Sequence, residues 1–139
     1  MVIIALDVGE RRIGVAVSDP TGTLATPHGI IERRSRAEDF ATIGELVRKL
    51  GAQRVIVGLP VSLNGTIGSQ ARRVIRYAKA LSKVLTVPVE MVDERYSTSI
   101  AQALLTEAGR RKHAHLDAAA AAVILQEYLD HPTRLSTGR

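Results

Sequence analysis

ALDVGERRIGVAVSD, residues 5 to 19, places one carboxylate, Asp7, at the end of an otherwise apolar strand. The residues before it, Val2 to Leu6, carry no polar side chain, which predicts a strand in the middle of a sheet. Burying an unpaired carboxylate costs several kcal/mol, so an acid there needs a donor, a cation or a metal beside it. Beyond Asp7 the pattern changes. Ile13, Val15 and Val17 alternate with Gly14, Ala16 and Ser18, which reads as a second strand. The short connection Gly9-Glu10-Arg11-Arg12 makes the pair an antiparallel hairpin.

From this hairpin the rest of the chain follows outward. Asp19-Pro20-Thr21-Gly22 is a turn, and Leu24 to Ile31 a third strand weakened by Pro27 and Gly29. Phe40, Ile43, Val47 and Leu50 mark one face of a helix that ends at Gly51. Arg54 to Leu59 is a buried strand stopped by Pro60, and Ala71, Val74, Ile75, Ala78, Leu81 and Leu85 trace a second helix. Val87 to Val92 reads as a fifth strand, Ile100, Leu104 and Ala108 as a third helix, and Leu116 to Leu129 as a fourth.

The order βββαβαβαα predicts an α/β fold: a five-stranded mixed sheet flanked by helices. The right-handed crossover rule sets the fourth strand beside the first, so Asp7 sits near the carboxyl ends of parallel strands, where such sheets hold ligands. Residues 1–130 read as a single domain and 131–139 as a frayed tail.

Composition narrows the chemistry. The chain has 139 residues and no cysteine, which excludes disulfides and thiolate metal sites. No apolar run approaches the roughly 20 residues of a membrane span, and the first residues enter a strand without a basic leader. A soluble, cytoplasmic protein is expected. The formal charge is +5, and 15 of the 19 basic residues are Arg, whose planar fork matches phosphate. Genome composition can produce the same bias. One Phe, three Tyr and no Trp leave little for base stacking, so phosphates or duplex shape would dominate any nucleic-acid contact.

Three acidic positions stand out. Asp7 ends the first strand, Asp93 and Glu94 end the fifth, and Asp117 lies at the start of the last helix in HAHLDAAAAAVIL. Asp117 taken alone reads as a helix N-cap. Inside the helix it would instead share a face with Ala121, Ile124 and Tyr128. Asp93 and Glu94 read equally as a surface pair bridged to Arg95, and Asp7 as a cap on turn amides. Yet the fold brings all three ends to one edge. With no cysteine, and with His113 and His115 expected on a loop, clustered carboxylates point to Mg²⁺ or Mn²⁺. Arg110-Arg111-Lys112-His113 adds a basic loop just before Asp117, and GLPVSLNG (Gly58 to Gly65) a loop whose amides could approach phosphate.

ALDVGERRIGVAVSD, VIVGLPVSLNG, VDERYST and HLDAAAAAVILQEYL, in that order, resemble the YqgF/RuvX-type Holliday-junction-resolvase-like proteins. The resemblance runs from about Val2 to Asp130 and implies a ribonuclease H-like fold. It implies a metal-dependent nuclease that hydrolyses phosphodiester bonds, processing the 5′ end of pre-16S rRNA in ribosome biogenesis. Asp7, Glu94 and Asp117 would be the metal-binding acids, with Arg95 beside them on phosphate and Arg110, Arg111 and Lys112 on nucleic acid. Glu94 is preferred to Asp93 for its reach, since the fourth strand keeps the fifth about 10 Å from the first, and because successive strand residues face opposite ways. The partner would be structured RNA or branched DNA. A junction resolvase would need to be a homodimer.

Two rivals remain. The opening segment also resembles the first phosphate loop of actin-like ATPases and sugar kinases, but the chain lacks a second such half. A non-catalytic RNA-binding module would keep the fold and basic face without needing all three acids.

Overall fold

A computed structural model describes residues 1–60, 67–93, 113–131 and 136–137, with only the backbone of 113–117 and 136–137 described. The expected third helix and the basic loop at Arg110, Arg111 and Lys112 lie outside these residues, as do Glu94 and Arg95.

The strands are β1 (Ile3–Val8), β2 (Arg12–Ser18), β3 (Ala25–Glu32), β4 (Arg54–Leu59), β5 (Val89–Asp93) and the two-residue β6 (Ser136–Thr137). The described helices are α1 (Arg36–Leu50), α2 (Ser69–Val84) and α3 (His113–Asp130). The sheet order is β3-β2-β1-β4-β5-β6. β1 is antiparallel to β2 and parallel to β4, and β5 is parallel to β4. The five expected strands and their mixed sheet are therefore present. The difference is at the edge: Ser136 and Thr137, expected in a frayed tail, pair antiparallel with Val92 and Met91. They cover backbone groups that β5 would otherwise present as an open edge.

Local chemistry explains the boundaries. Ser35 caps α1 by accepting from the Glu38 amide at 3.1 Å, and its hydroxyl donates to the Glu38 carboxylate. Gly51 closes the same helix in the left-handed region at φ 67°. β5 starts two residues later than expected because Pro88 has no amide to donate; its carbonyl instead accepts from Val55. In β3 the register slips opposite Val15 and Ala16, so that Gly29 and Pro27 pair while His28 bulges. This accommodates a proline in an edge strand.

Two cores sit on the two faces. Ile4, Leu6 and Val8 of β1 join Phe40, Ile43, Tyr77 and Leu81 beneath α1 and α2. Ile3 and Ala5 join Ala16, Ile56, Val92, Ala121, Ile124 and Leu125 beneath α3. α3 packs across β1, β2 and β3.

Candidate active site

Asp7 is half-buried and lies next to last in β1. Ile3 and Ala5 belong to the core under α3, and strand residues alternate between faces, so Asp7 shares the α3 side. Its neighbours in the row are glycines. Gly14 pairs with it across the antiparallel ladder, and Gly58 stands one step beyond the Leu6–Val57 pair. Gly9, just beyond, makes the sharp exit: its amide donates to the Arg12 carbonyl at 2.8 Å, and a Cβ there would meet that oxygen at 2.9 Å.

α3 begins at His113, one turn before Asp117. Asp117 is therefore inside the helix, and the N-cap reading is corrected. His113 and His115 likewise belong to the helix rather than to a loop. Position 117 falls in phase with Ala121, Ile124 and Tyr128, all buried in the core against the sheet. The cap reading failed because HAHLD combines a good capping residue with weak helix signals, and an alanine run gives no amphipathic phase.

Asp93 is buried and pairs with Leu59, a member of the core beneath α1 and α2. It therefore faces away from Asp7. β4 does separate β1 from β5. Among the described residues, no three His, Cys, Asp or Glu side chains form a metal-binding group.

A second polar cluster fixes α3 to the sheet. The Arg54 guanidinium donates to the Tyr128 hydroxyl at 2.7 Å and to Glu90 at 3.2 Å, and that hydroxyl donates to Glu90 at 3.1 Å. Burial holds the Tyr128 phenol above its ordinary pKa despite the opposing guanidinium, so it stays protonated and able to donate.

On the opposite face, four arginines that sequence reasoning did not single out converge on one cleft: Arg33, Arg36, Arg73 and Arg76. The signal was available only in part. Arg33-Arg34-Ser35-Arg36 is a basic run, and Arg73 and Arg76 share a helical face, but only the packing of α1 beside α2 joins them.

The sheet order and the helices on its two faces define a ribonuclease H-like fold. Thermus thermophilus RuvC, solved in complex with a Holliday junction substrate, superposes with a TM-score of 0.63 at 14% identity, covering 99% of this chain and 98% of RuvC. Fowlpox virus resolvase, solved with Holliday junction DNA, gives 0.57 at 12% identity over 96% of this chain and 99% of the resolvase. Within that class the chain belongs to the RuvX family, described as Holliday junction resolvase, which it matches over residues 1–131. Relatives named "Putative pre-16S rRNA nuclease" include one from Synechococcus sp., 46% identical over 91% of this chain and 76% of its own length. Another, from Caldanaerobacter subterraneus, is 43% identical over 94% of this chain and 96% of its own. Among the described residues, no helix is long and apolar enough to cross a membrane.

Proposed function

We propose that this chain is a nuclease that hydrolyses phosphodiester bonds in pre-16S rRNA, with Asp7, Glu94 and Asp117 holding a divalent ion. The carrying observation is that Asp7 belongs to the α3 side of the sheet while position 117 is inside α3, in phase with that helix's sheet-facing residues. The alternation of β5 supports Glu94 as the third acid, because position 93 is committed to the other face. Carboxylate oxygens without cysteine are a hard donor set, which suits Mg²⁺ or Mn²⁺. The ion would activate water and stabilise the leaving oxygen of the phosphodiester. Arg95, Arg110, Arg111 and Lys112 would neutralise the nucleic-acid strand around that site. Work on rRNA would put the protein in the cytoplasm.

The relatives at 43–46% identity favour pre-rRNA as substrate. The family description favours a second reading, a homodimeric resolvase of branched DNA. Competition between a pre-16S 5′ segment and a four-way DNA junction for cleavage separates the two.

The deciding test is Asp7→Asn, assayed and melted in Mn²⁺ and in chelator. The variant should lose cleavage by about a thousandfold or more, the scale of removing a group that acts only on the reacting centre. It should also lose the stabilisation that Mn²⁺ gives by binding the native state, while melting close to wild type in chelator. A structural Asp7 gives the reverse: a variant destabilised under both conditions, with Mn²⁺ shifting both proteins equally.

A further inference from the structure

The arginine cleft lies on the α1 and α2 side of the sheet, opposite Asp7, with a volume of about 190 Å³. Its floor is the exit of β1 at Val8 and Gly9, and its walls are Arg33, Arg36, Arg73, Arg76 and Tyr77. One carboxylate, the exposed Glu10, lines it as well, 3.9 Å from Arg73. Four guanidiniums against Glu10 in the lining and Asp39 behind Arg33 leave the hollow with a net positive charge that favours an anion.

The cleft is organised around a fixed cation. The Arg33 guanidinium donates to the Gly9 carbonyl at 2.7 Å and lies 3.7 Å from the buried Asp39 carboxylate. It also lies 4.7 Å from the centre of the Tyr77 ring, and Arg36 lies 5.8 Å from the same ring. Asp39 is itself held by the Tyr77 hydroxyl at 3.1 Å and the Arg34 amide at 2.9 Å. Arg33 is thus preorganised, with further N–H groups beyond these contacts. Gln70, in the first turn of α2, also lines the cleft. That helix start has no side-chain cap and no acid in its first turn, so its amides add to the positive field. Tyr77 is buried beneath the arginines and offers no open ring for a base. The chemistry recognises phosphate, not nucleobase.

We propose that this cleft is a subsite for a backbone phosphate of the bound nucleic-acid strand, a nucleotide or a few removed from the phosphate at Asp7. The proposal rests on the nuclease reading above. Gly9 is two residues beyond Asp7, about 7 Å along an extended chain, comparable to the step between successive phosphates. A strand crossing the carboxyl edge of the sheet would pass from the Asp7 face to the cleft face.

The test uses Arg36→Gln and Arg76→Gln, single and combined; both arginines are exposed, so the variants should melt like wild type. Binding of a labelled pre-16S 5′ segment is measured in chelator across a salt series, with single methylphosphonates placed stepwise along the strand. Each variant should bind about tenfold more weakly at low salt, with a salt dependence shallower by about one phosphate contact. One methylphosphonate position near the cleavage point should weaken wild type yet leave the double variant unaffected. Wild-type affinity and salt slope in the variants, or equal methylphosphonate effects in both proteins, would overturn the subsite. Competition by inorganic phosphate without any methylphosphonate coupling would also overturn it, showing a free-anion site instead. Cleavage by wild type and Asp7→Asn is read on the same RNA, so loss of the nuclease reading registers separately from loss of the subsite.

Discussion

The two faces of the sheet are packed with different side chains. Beneath α1 and α2 lie Ile4, Leu6, Ile13, Val55 and Val57, met by Phe40, Ile43, Tyr77 and Leu81. Beneath α3 lie Ala5 and Ala16 beside Ile3, Ile56 and Val92, met by Ala121, Ile124 and Leu125. Among the described residues, the large side chains of the first face form the larger buried apolar cluster. Small residues on the second let a helix settle close to the strands, and that face also carries Asp7. The described apolar core and the proposed chemistry are thus weighted toward opposite sides of one sheet, with the arginine cleft on the α1 and α2 side.

Substitutions on the two sides should behave differently. Leu81, fully buried on the α1 and α2 side, should cost about 2–5 kcal/mol when changed to Ala, read as a lower urea midpoint with an unchanged slope. Cleavage per folded molecule should stay near wild type. Ala121→Leu on the α3 side should cost less, about 1–3 kcal/mol through overpacking. Its cleavage should nevertheless fall tenfold or more, because lifting α3 moves position 117. Ala121→Leu with full cleavage, or Leu81→Ala with a proportionate loss of it, would break the contrast. Tyr128→Phe sharpens it: removing the hydroxyl between Arg54 and Glu90 should cost about 1 kcal/mol. A drop in cleavage larger than that loss of folded protein implies would tie the anchor at the far end of α3 to the site.

The same contrast accounts for what could be read in the chain. β1 and β4 were legible because strands buried on both faces must be apolar runs, and the hairpin because alternation at Ile13, Val15 and Val17 admits one register. The carboxyl-end position of Asp7 followed from topology alone. The start of α3 was not legible, since alanine carries no phase and Asp117 is as good a cap as a ligand. Nor was the arginine cleft, whose members come from the end of β3, the start of α1 and the middle of α2. Their convergence is decided by packing, which no local pattern encodes. The bulge at His28 and the pairing of Ser136 with Val92 are likewise tertiary outcomes of edge strands meeting partners.

The smallest expected effect concerns the turn after β2, which is tied to α3. The Ala25 amide donates to the Gln126 side chain at 2.9 Å, and the Gln126 amide donates to the Thr23 carbonyl at 3.0 Å. Asp19 organises that turn, accepting from the Thr21 hydroxyl at 2.5 Å, the Thr23 amide at 2.8 Å and the Leu24 amide at 3.0 Å. The Thr21 hydroxyl above all, then the Leu24 and Thr23 amides, lower the Asp19 pKa to about 2. An unfolded aspartate titrates near 3.9, so the folded chain holds this proton more weakly than the unfolded one. Its contribution to stability is therefore complete above about pH 4 and is lost as pH falls toward about 2. Asp19→Asn cannot titrate. The stability gap between wild type and Asp19→Asn should be constant from pH 7 to about 4 and then close toward pH 2, measured by urea unfolding at each pH. A gap that does not change across that window would show that the charge of Asp19 does not hold the turn against which Gln126 of α3 is seated.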